Sequence, residues 1–85
     1  MSTTYPIPEP LMAQYHGSGV ALAAMVGGQL IALRYLSDVL PDYDGSMAQA
    51  PQAIDDPRLG PTVRELQALG EVFVGMCSCG EFTVL

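Results

Sequence analysis

The feature that most constrains the fold of this chain is a long apolar run without an ionised side chain. No Asp, Glu, Lys or Arg occurs between Glu9 and Arg34, and residues 18–33 are mostly Ala, Leu, Val, Met and Gly. Polar and apolar residues do not alternate in this run, as they would in a strand with one solvent-exposed face. The run therefore favours a helix that is buried on most of its surface.

A heptad pattern supports the helical interpretation. Residues that are apolar with one exception recur at alternating intervals of four and three: Leu22, Val26, Gln29, Leu33, Leu36 and Leu40. This spacing would place all of them on one side of a helix. Pro41 would end that helix, so we predict a helix over residues 18–40.

The same segment carries small residues at helical spacing. Gly19, Ala23 and Gly27 would form one smooth ridge, and a second ridge of small residues would run beside it. Glycine inside a helix costs about 1 kcal/mol relative to alanine, and close approach of another backbone would compensate for this cost. We therefore predict an interface made of Gly19, Ala23, Gly27, Gly28, Gln29, Leu33 and Leu36.

The rest of the chain is predicted from its prolines, glycines and apolar spacing. Residues 1–15 are typical of an extended, proline-rich arm, and residues 41–61 of an acidic loop punctuated by proline and glycine. A second heptad pattern predicts a helix over residues 62–77, followed by a tail to residue 85; it consists of Val63, Leu66, Gly70, Phe73 and Cys77. The predicted fold class is mainly α, a two-helix hairpin in one small domain.

The C-terminal part permits a second interpretation. Residues 72–74 are Val, Phe and Val, which strands favour, and residues 81–85 have a similar character. Residues 71–77 and 81–85 would then form a β-hairpin that turns through residues 78–80. In that case the fold class is α+β, and the helix over 18–40 is unchanged.

Charge and composition narrow the range of partners. The net charge is −6, with nine acidic residues against three arginines. This balance argues against binding to nucleic acid or to an anionic membrane surface, since both need clustered basic residues. Hydrophobic residues make up 49% of the chain, and a domain of this size hides only about two-thirds of its unfolded surface. We therefore expect surplus apolar surface that contacts another protein.

Cys77 and Cys79 are the candidates for a metal site, because two thiolates at this spacing can bind a soft metal ion. A complete zinc site needs about four ligands, and His16, the single histidine, is distant in the sequence. The sequence contains no phosphate-binding loop, catalytic triad or pair of catalytic carboxylates. We therefore predict no enzyme activity, no cofactor and no metal, and we interpret the cysteines as buried, inert thiols.

These features predict a structural or assembly subunit that packs through its Gly/Ala-rich helix in a homo-oligomer or against a larger protein. An accessory subunit of a particle such as a virion fits this description, with the cytoplasm or a virion as the expected location. Two alternatives stay open. One is a subunit with a single membrane span, although residues 18–33 are fewer than the about 20 that a bilayer requires. The other is a precursor peptide whose C-terminal core, Met76 to Leu85, is modified at its cysteines.

Overall fold

A computed structural model describes residues 3–13, 17–43 and 48–85, of which 39% lie in strands and 32% in helices. The strands form one curled antiparallel sheet in the order β1-β5-β4-β2-β3: β1 Thr4–Pro6, β2 Gly19–Val26, β3 Gln29–Tyr35, β4 Glu71–Ser78 and β5 Glu81–Val84. The helices are short: α1 Glu9–Met12, α2 Leu36–Val39, α3 Ala50–Ile54 and α4 Gly60–Gln67, with a 3-10 turn at Pro57–Leu59. The predicted fold class, mainly α, is therefore wrong, because the chain is mainly β.

The segment predicted as a helix over 18–40 forms the β2–β3 hairpin followed by α2. β2 lies between β3 and β4, and its residues from Gly19 to Met25 are all buried. A strand that is covered on both faces carries apolar residues at every position and shows no alternation. The missing alternation, which argued against a strand, is thus explained by burial of both faces.

The adjacent glycines form the turn of this hairpin. Gly27 has a φ of +59° and Gly28 a φ of +78°, and Val26 pairs with Gln29 on either side of them. Turns with two positive φ values match the twist of hairpin strands, and glycine adopts these values without a steric cost. Among the described residues beyond their chain neighbours, no atom lies within 4 Å of a Cβ placed on either glycine. Backbone conformation, rather than close packing, therefore accounts for the glycine pair.

The predicted heptad stripe does not form one surface. Leu22 and Leu36 lie in the apolar cluster on the helix-covered face of the sheet. Leu33 lies in the cluster on the opposite face, while Val26 and Gln29 are exposed. Residues spaced alternately by four and three positions therefore do not share one surface in this segment.

The second predicted helix, over 62–77, is correct only in its first part. α4 ends at Gln67, and after Gly70 the chain continues as β4. The C-terminal hairpin that formed part of the alternative interpretation is present, since β4 pairs with β5 through the closing pair Ser78 and Glu81. That hairpin belongs to a mainly β sheet, so the α+β fold class with its long first helix is also wrong.

The proline-rich segment near the N-terminus is part of the sheet and not a free arm. β1 pairs with β5, and Ile7 is buried. The N–H of Ile7 donates a hydrogen bond of 3.0 Å to the carbonyl of Gly80. In the predicted loop over 41–61, the described residues include α3 and the 3-10 turn.

Two apolar clusters cover the two faces of the sheet. On one face, α2, α3 and α4 cover side chains of β2 and β4 together with residues of the connecting segments: Val20, Leu22, Ala24, Ala32, Leu36, Leu40, Tyr43, Ala50, Ala53, Leu59 and Leu66. On the concave face, the curl of the sheet and α1 enclose a second cluster: Ile7, Ala21, Ala23, Met25, Leu30, Leu33, Tyr35, Cys77 and Phe82. β2, which lies between the clusters, is therefore buried on both sides by the chain itself.

Candidate functional site

The fold is about as compact as an ordinary monomer of this mass. The accessible area is 4954 Å², close to the about 4,850 Å² typical of a compact protein of this size. The radius of gyration is 11.7 Å, against an expected value of about 11.9 Å. The chain is therefore as compact as an ordinary monomer, and the exposed apolar side chains show where a partner could bind.

Large apolar side chains remain exposed at five described positions: Met12, Val26, Ile31, Leu69 and Leu85. Three of these lie at the end of the sheet that carries the β2–β3 turn. Val26 precedes the turn, Ile31 follows it, and Leu69 adjoins Gly70, where a Cβ would lie 2.8 Å from Val26 Cγ2. We call Val26, Ile31 and Leu69, together with the turn glycines, the turn-end surface.

A cleft of about 270 Å³ adjoins the turn-end surface, and it is lined by Pro6, Pro8, Gly28, Gln29 and Leu30. It lies between the end of β1 and the start of β3, the two edge strands of the sheet. Its lining contains no charged residue among those described. The cleft therefore suits an apolar side chain better than an ionised group.

The backbone of β3 directs some of its polar groups away from β2, toward the outer edge of the sheet. In an antiparallel pair, alternate residues direct their N–H and C=O groups toward the neighbouring strand and away from it. Val26 and Gln29 close the two-residue turn and bond to each other, so the backbone groups of Leu30 point away from the sheet. After a register shift opposite Ala24 and Met25, Leu33 is the next residue with this outward orientation. Leu30 and Leu33 are only 3% and 1% exposed with their backbone included, and β1 and α1 approach β3, so these groups are covered by the chain itself.

Arg34 lies across this edge and contacts both the strand and a helix. Its Nη1 donates a hydrogen bond of 2.8 Å to the outward carbonyl of Leu33. Its Nη2 lies 3.2 Å from Oε1 of Glu65 in α4. The ion pair is exposed, so it adds little stability, but a charged side chain at this position limits indiscriminate pairing of the edge. Within the described segments, no other backbone bond outside the strand ladders involves Leu30 or Leu33.

The residues predicted as an interface fall into two groups. Gly27, Gly28 and Gln29 are exposed at the turn end of the hairpin. The other four are buried within the chain: Gly19, Ala23, Leu33 and Leu36. The prediction from sequence omitted Val26, Ile31 and Leu69. The Gly-Gly pair between two apolar runs is the signal that could have identified the hairpin turn and hence the turn-end surface.

The two cysteines lie in different environments. Cys77 is fully buried on the concave face, and burial raises the pKa of its thiol, an effect that a hydrogen bond with Tyr35 partly offsets. Cys79 is exposed in the β4–β5 turn with a φ of +55°.

Within residues 3–13, 17–43 and 48–85, no three His, Cys, Asp or Glu side chains lie close enough to hold a metal ion. His16 lies outside the described residues.

A charged cluster occupies the segment between α2 and α4. Arg58 Nη2 lies 3.0 Å from Asp42 Oδ1 and 2.8 Å from Asp56 Oδ2. Asp56 also accepts a hydrogen bond from the backbone N–H of Arg58 and so caps the 3-10 turn. The hydrogen bonds from Arg58 lower the pKa of Asp56, and both carboxylates raise the pKa of Arg58. The cluster borders a cleft of about 150 Å³, and its charges are already paired with one another.

In the described portion of the chain, no helix has the length and hydrophobicity that crossing a membrane requires. The segment on which the membrane alternative depended, residues 18–33, contains β2 and most of β3. No protein-family model matches the chain, and no curated protein shows significant similarity to it.

Proposed function

We propose that this chain is a small, non-catalytic assembly subunit that binds another protein through the turn-end surface. The observation that carries this proposal is that three large apolar side chains, Val26, Ile31 and Leu69, are exposed at the end of the sheet that carries the β2–β3 turn. Exposed apolar side chains that cluster in this way are typical of surfaces that bind other proteins. An accessory subunit of a larger particle is one setting in which such a surface would operate.

The size of the surface suits an interaction of moderate strength. Val26, Ile31 and Leu69 are each about half exposed, and full burial of such a side chain contributes about 1.5–3 kcal/mol. Covering the three exposed halves would therefore contribute about 2–4 kcal/mol. Association itself costs free energy, so contacts around these three side chains would have to add to this contribution.

The chemistry of the remaining polar groups supports a binding role. Arg58 is engaged by two carboxylates, and Cys77 is buried with a raised pKa. A nucleophilic cysteine needs a lowered pKa and an accessible sulfur, which is the opposite of the environment of Cys77. Cys79 is exposed, and its sulfur accepts a hydrogen bond of 3.7 Å from the Ser78 hydroxyl.

The test compares charged substitutions on the turn-end surface with matched substitutions elsewhere. Val26 is 53% exposed and Leu85 54% exposed, while Ile31 is 43% exposed and Met12 40% exposed. We expect Val26→Glu and Ile31→Lys to abolish assembly, measured by size-exclusion chromatography with light scattering on the purified chain and on any complex isolated with it. Leu85→Glu and Met12→Lys should leave assembly unchanged.

Circular dichroism and thermal melts establish that each variant is folded before its assembly is interpreted. If the turn-end variants and the controls assemble equally well, another surface is responsible and the proposal fails. A chain that stays monomeric at every concentration and forms no complex would also contradict it.

A further inference from the structure

We propose that the cleft between β1 and β3 binds a basic segment of a partner protein, with an apolar side chain in the cleft and a lysine or arginine on either side of it. This inference rests on the proposed function and specifies the chemistry of the partner. It follows from the lining of the cleft and from the charges that flank it.

The cleft is apolar and has room for side chains rather than for a whole small molecule. Its volume is about 270 Å³, and it is lined by Pro6, Pro8, Gly28, Gln29 and Leu30. Leu30 is only 3% exposed, so it forms the floor of the cleft. Pockets for small molecules usually exceed about 300 Å³, whereas one or two apolar side chains of a partner would fit here. Such a side chain would need no backbone hydrogen bond to β3.

Two exposed carboxylates flank the cleft. Glu9 directly follows Pro8 in the sequence and is exposed. Met25 pairs with Leu30 on one side and with Glu71 on the other. Since paired side chains share a face of the sheet, Glu71 lies on the concave side, two strand spacings or about 10 Å from Leu30. Within the described segments, no ion pair engages Glu9 or Glu71.

The basic residues of the chain lie away from the cleft. The sequence has no lysine and three arginines. Arg34 Nη2 lies 3.2 Å from Glu65 Oε1 of α4, Arg58 is paired with two carboxylates, and Arg64 lies in α4. The cleft therefore combines an apolar floor with flanking negative charge, which a lysine or arginine of a partner would complement.

A second copy of this chain suits the cleft less well. The net charge is −6, and a charge far from zero opposes self-association. A symmetric contact brings the same surface of both copies together, so the carboxylates that flank one cleft would face those of the other. Charge complementarity therefore favours a basic partner.

A peptide with the proposed features tests this inference. In the probe Lys-Ser-Ser-Leu-Ser-Ser-Lys, each lysine is three residues from the leucine, about 10 Å in an extended chain. Its ends are acetylated and amidated, so only the lysines are charged. Two matched peptides replace both lysines with glutamate, or the leucine with alanine. Binding to the full chain is measured by NMR titration of the backbone amides at low ionic strength.

We expect the lysine peptide to shift the amide signals of Gly28, Gln29 and Leu30. The glutamate and alanine peptides should bind at least about fivefold more weakly. Glu71→Lys should weaken binding of the lysine peptide about fivefold and strengthen binding of the glutamate peptide. Asp55→Lys makes the same change of charge at an exposed position after α3, and it should leave both affinities nearly unchanged. The amide spectra also show whether each variant is folded.

The inference is overturned if the lysine peptide leaves these amide signals unshifted at millimolar concentration, or if the lysine and glutamate peptides bind equally well. Self-association of the purified chain through the cleft would assign this surface to a second copy and would also overturn it. If any of these results is obtained while Val26→Glu still abolishes assembly, the assembly function stands and only the basic partner is rejected.

Discussion

The β2–β3 and β4–β5 hairpins are built on the same plan but differ in how well their sequences reveal them. Each turns through two residues with positive φ, Gly27-Gly28 in the first and Cys79-Gly80 in the second. β2 is buried at every position but its last, whereas β4 is only partly buried at most positions. The first hairpin therefore resembles a buried helix in its sequence, and the second shows the composition of a strand.

This difference shows that burial, and not only local preference, determines what a strand looks like in sequence. β2 is rich in alanine, which strands do not favour, because small side chains fit between the two apolar clusters. β4 keeps Val and Phe, which are typical of strands, since its faces are less crowded. Exchanging or removing features of the two hairpins tests this explanation.

The largest expected effect comes from the close approach at Gly75 in β4. A Cβ at this position would overlap the Thr83 carbonyl oxygen and lie 2.8 Å from Phe82 Cε1. We expect Gly75→Ala to destabilise the fold by about 3 kcal/mol, near the upper end for overpacking, because a backbone carbonyl cannot move freely. Chemical denaturation of the variant measures this value.

Ala21, which pairs with Gly75 across the sheet, provides the matched control. Ala21→Gly creates space rather than a clash, so we expect a smaller loss of about 1–2 kcal/mol. If Ala21→Gly costs more than Gly75→Ala, the close approach in the C-terminal hairpin is not the tighter of the two contacts.

The second prediction gives the N-terminal turn the sequence of the C-terminal one. Gly27→Cys introduces a Cβ at a φ of +59°, which costs about 1–2 kcal/mol for a residue other than glycine. Equilibrium unfolding under reducing conditions measures the loss. An unchanged stability would show that the β2–β3 turn does not need glycine at its first position.

The third prediction is the reverse exchange. Cys79 has a φ of +55°, so Cys79→Gly relieves this strain but increases the freedom of the unfolded chain. We expect a net gain of about 0.5 kcal/mol, seen as a higher denaturation midpoint. A loss of stability would indicate that the Cys79 side chain makes a contact that outweighs the strain.

The smallest expected effect is a dependence of stability on alkaline pH. Burial raises the pKa of Cys77, so the folded chain holds this proton more tightly than the unfolded chain does. The stabilising contribution is complete below the unfolded pKa of about 8.5 and is lost as the pH rises through the folded value.

Cys77→Ala should remove this alkaline loss, while Cys79→Ser should keep it. In the native protein, a thiol reagent should modify Cys79 first, because Cys77 is buried and Cys79 is exposed. Equal rates for the two thiols would contradict the buried, protonated state of Cys77.

Local sequence preferences reveal the C-terminal strands and the start of α4, but not β2. The strands over 71–78 and 81–84 were accessible, because Val72, Phe73 and Val74 have a strand preference and Gly80 marks a turn. The helix near residue 62 was accessible in its first part, because Pro61 favours a helix start and Val63 and Leu66 have helical spacing. β2 was not, since its two buried faces depend on contacts with β4 and the helices that the local pattern does not contain.

The candidate site shows the same division. Gly27, Gly28 and Gln29 were predicted as contact residues from a helical ridge, and they are exposed for a different reason, at a turn. Val26 is exposed at the last position of β2, and Ile31 is the extra residue at the register shift of β3. Sequence spacing reveals neither the end of a strand nor a bulge, so these two residues were missed.

The pairing of β1 with β5 has a consequence for how the molecule forms. Thr4 pairs with Thr83, so this contact closes a loop that includes nearly every other residue described. Such distant contacts form late, because the loss of chain entropy must be met by structure already in place. During folding, β2, β3 and β4 would therefore pair with one another before β1 pairs with β5. The concave cluster would then be the last part of the core to exclude water.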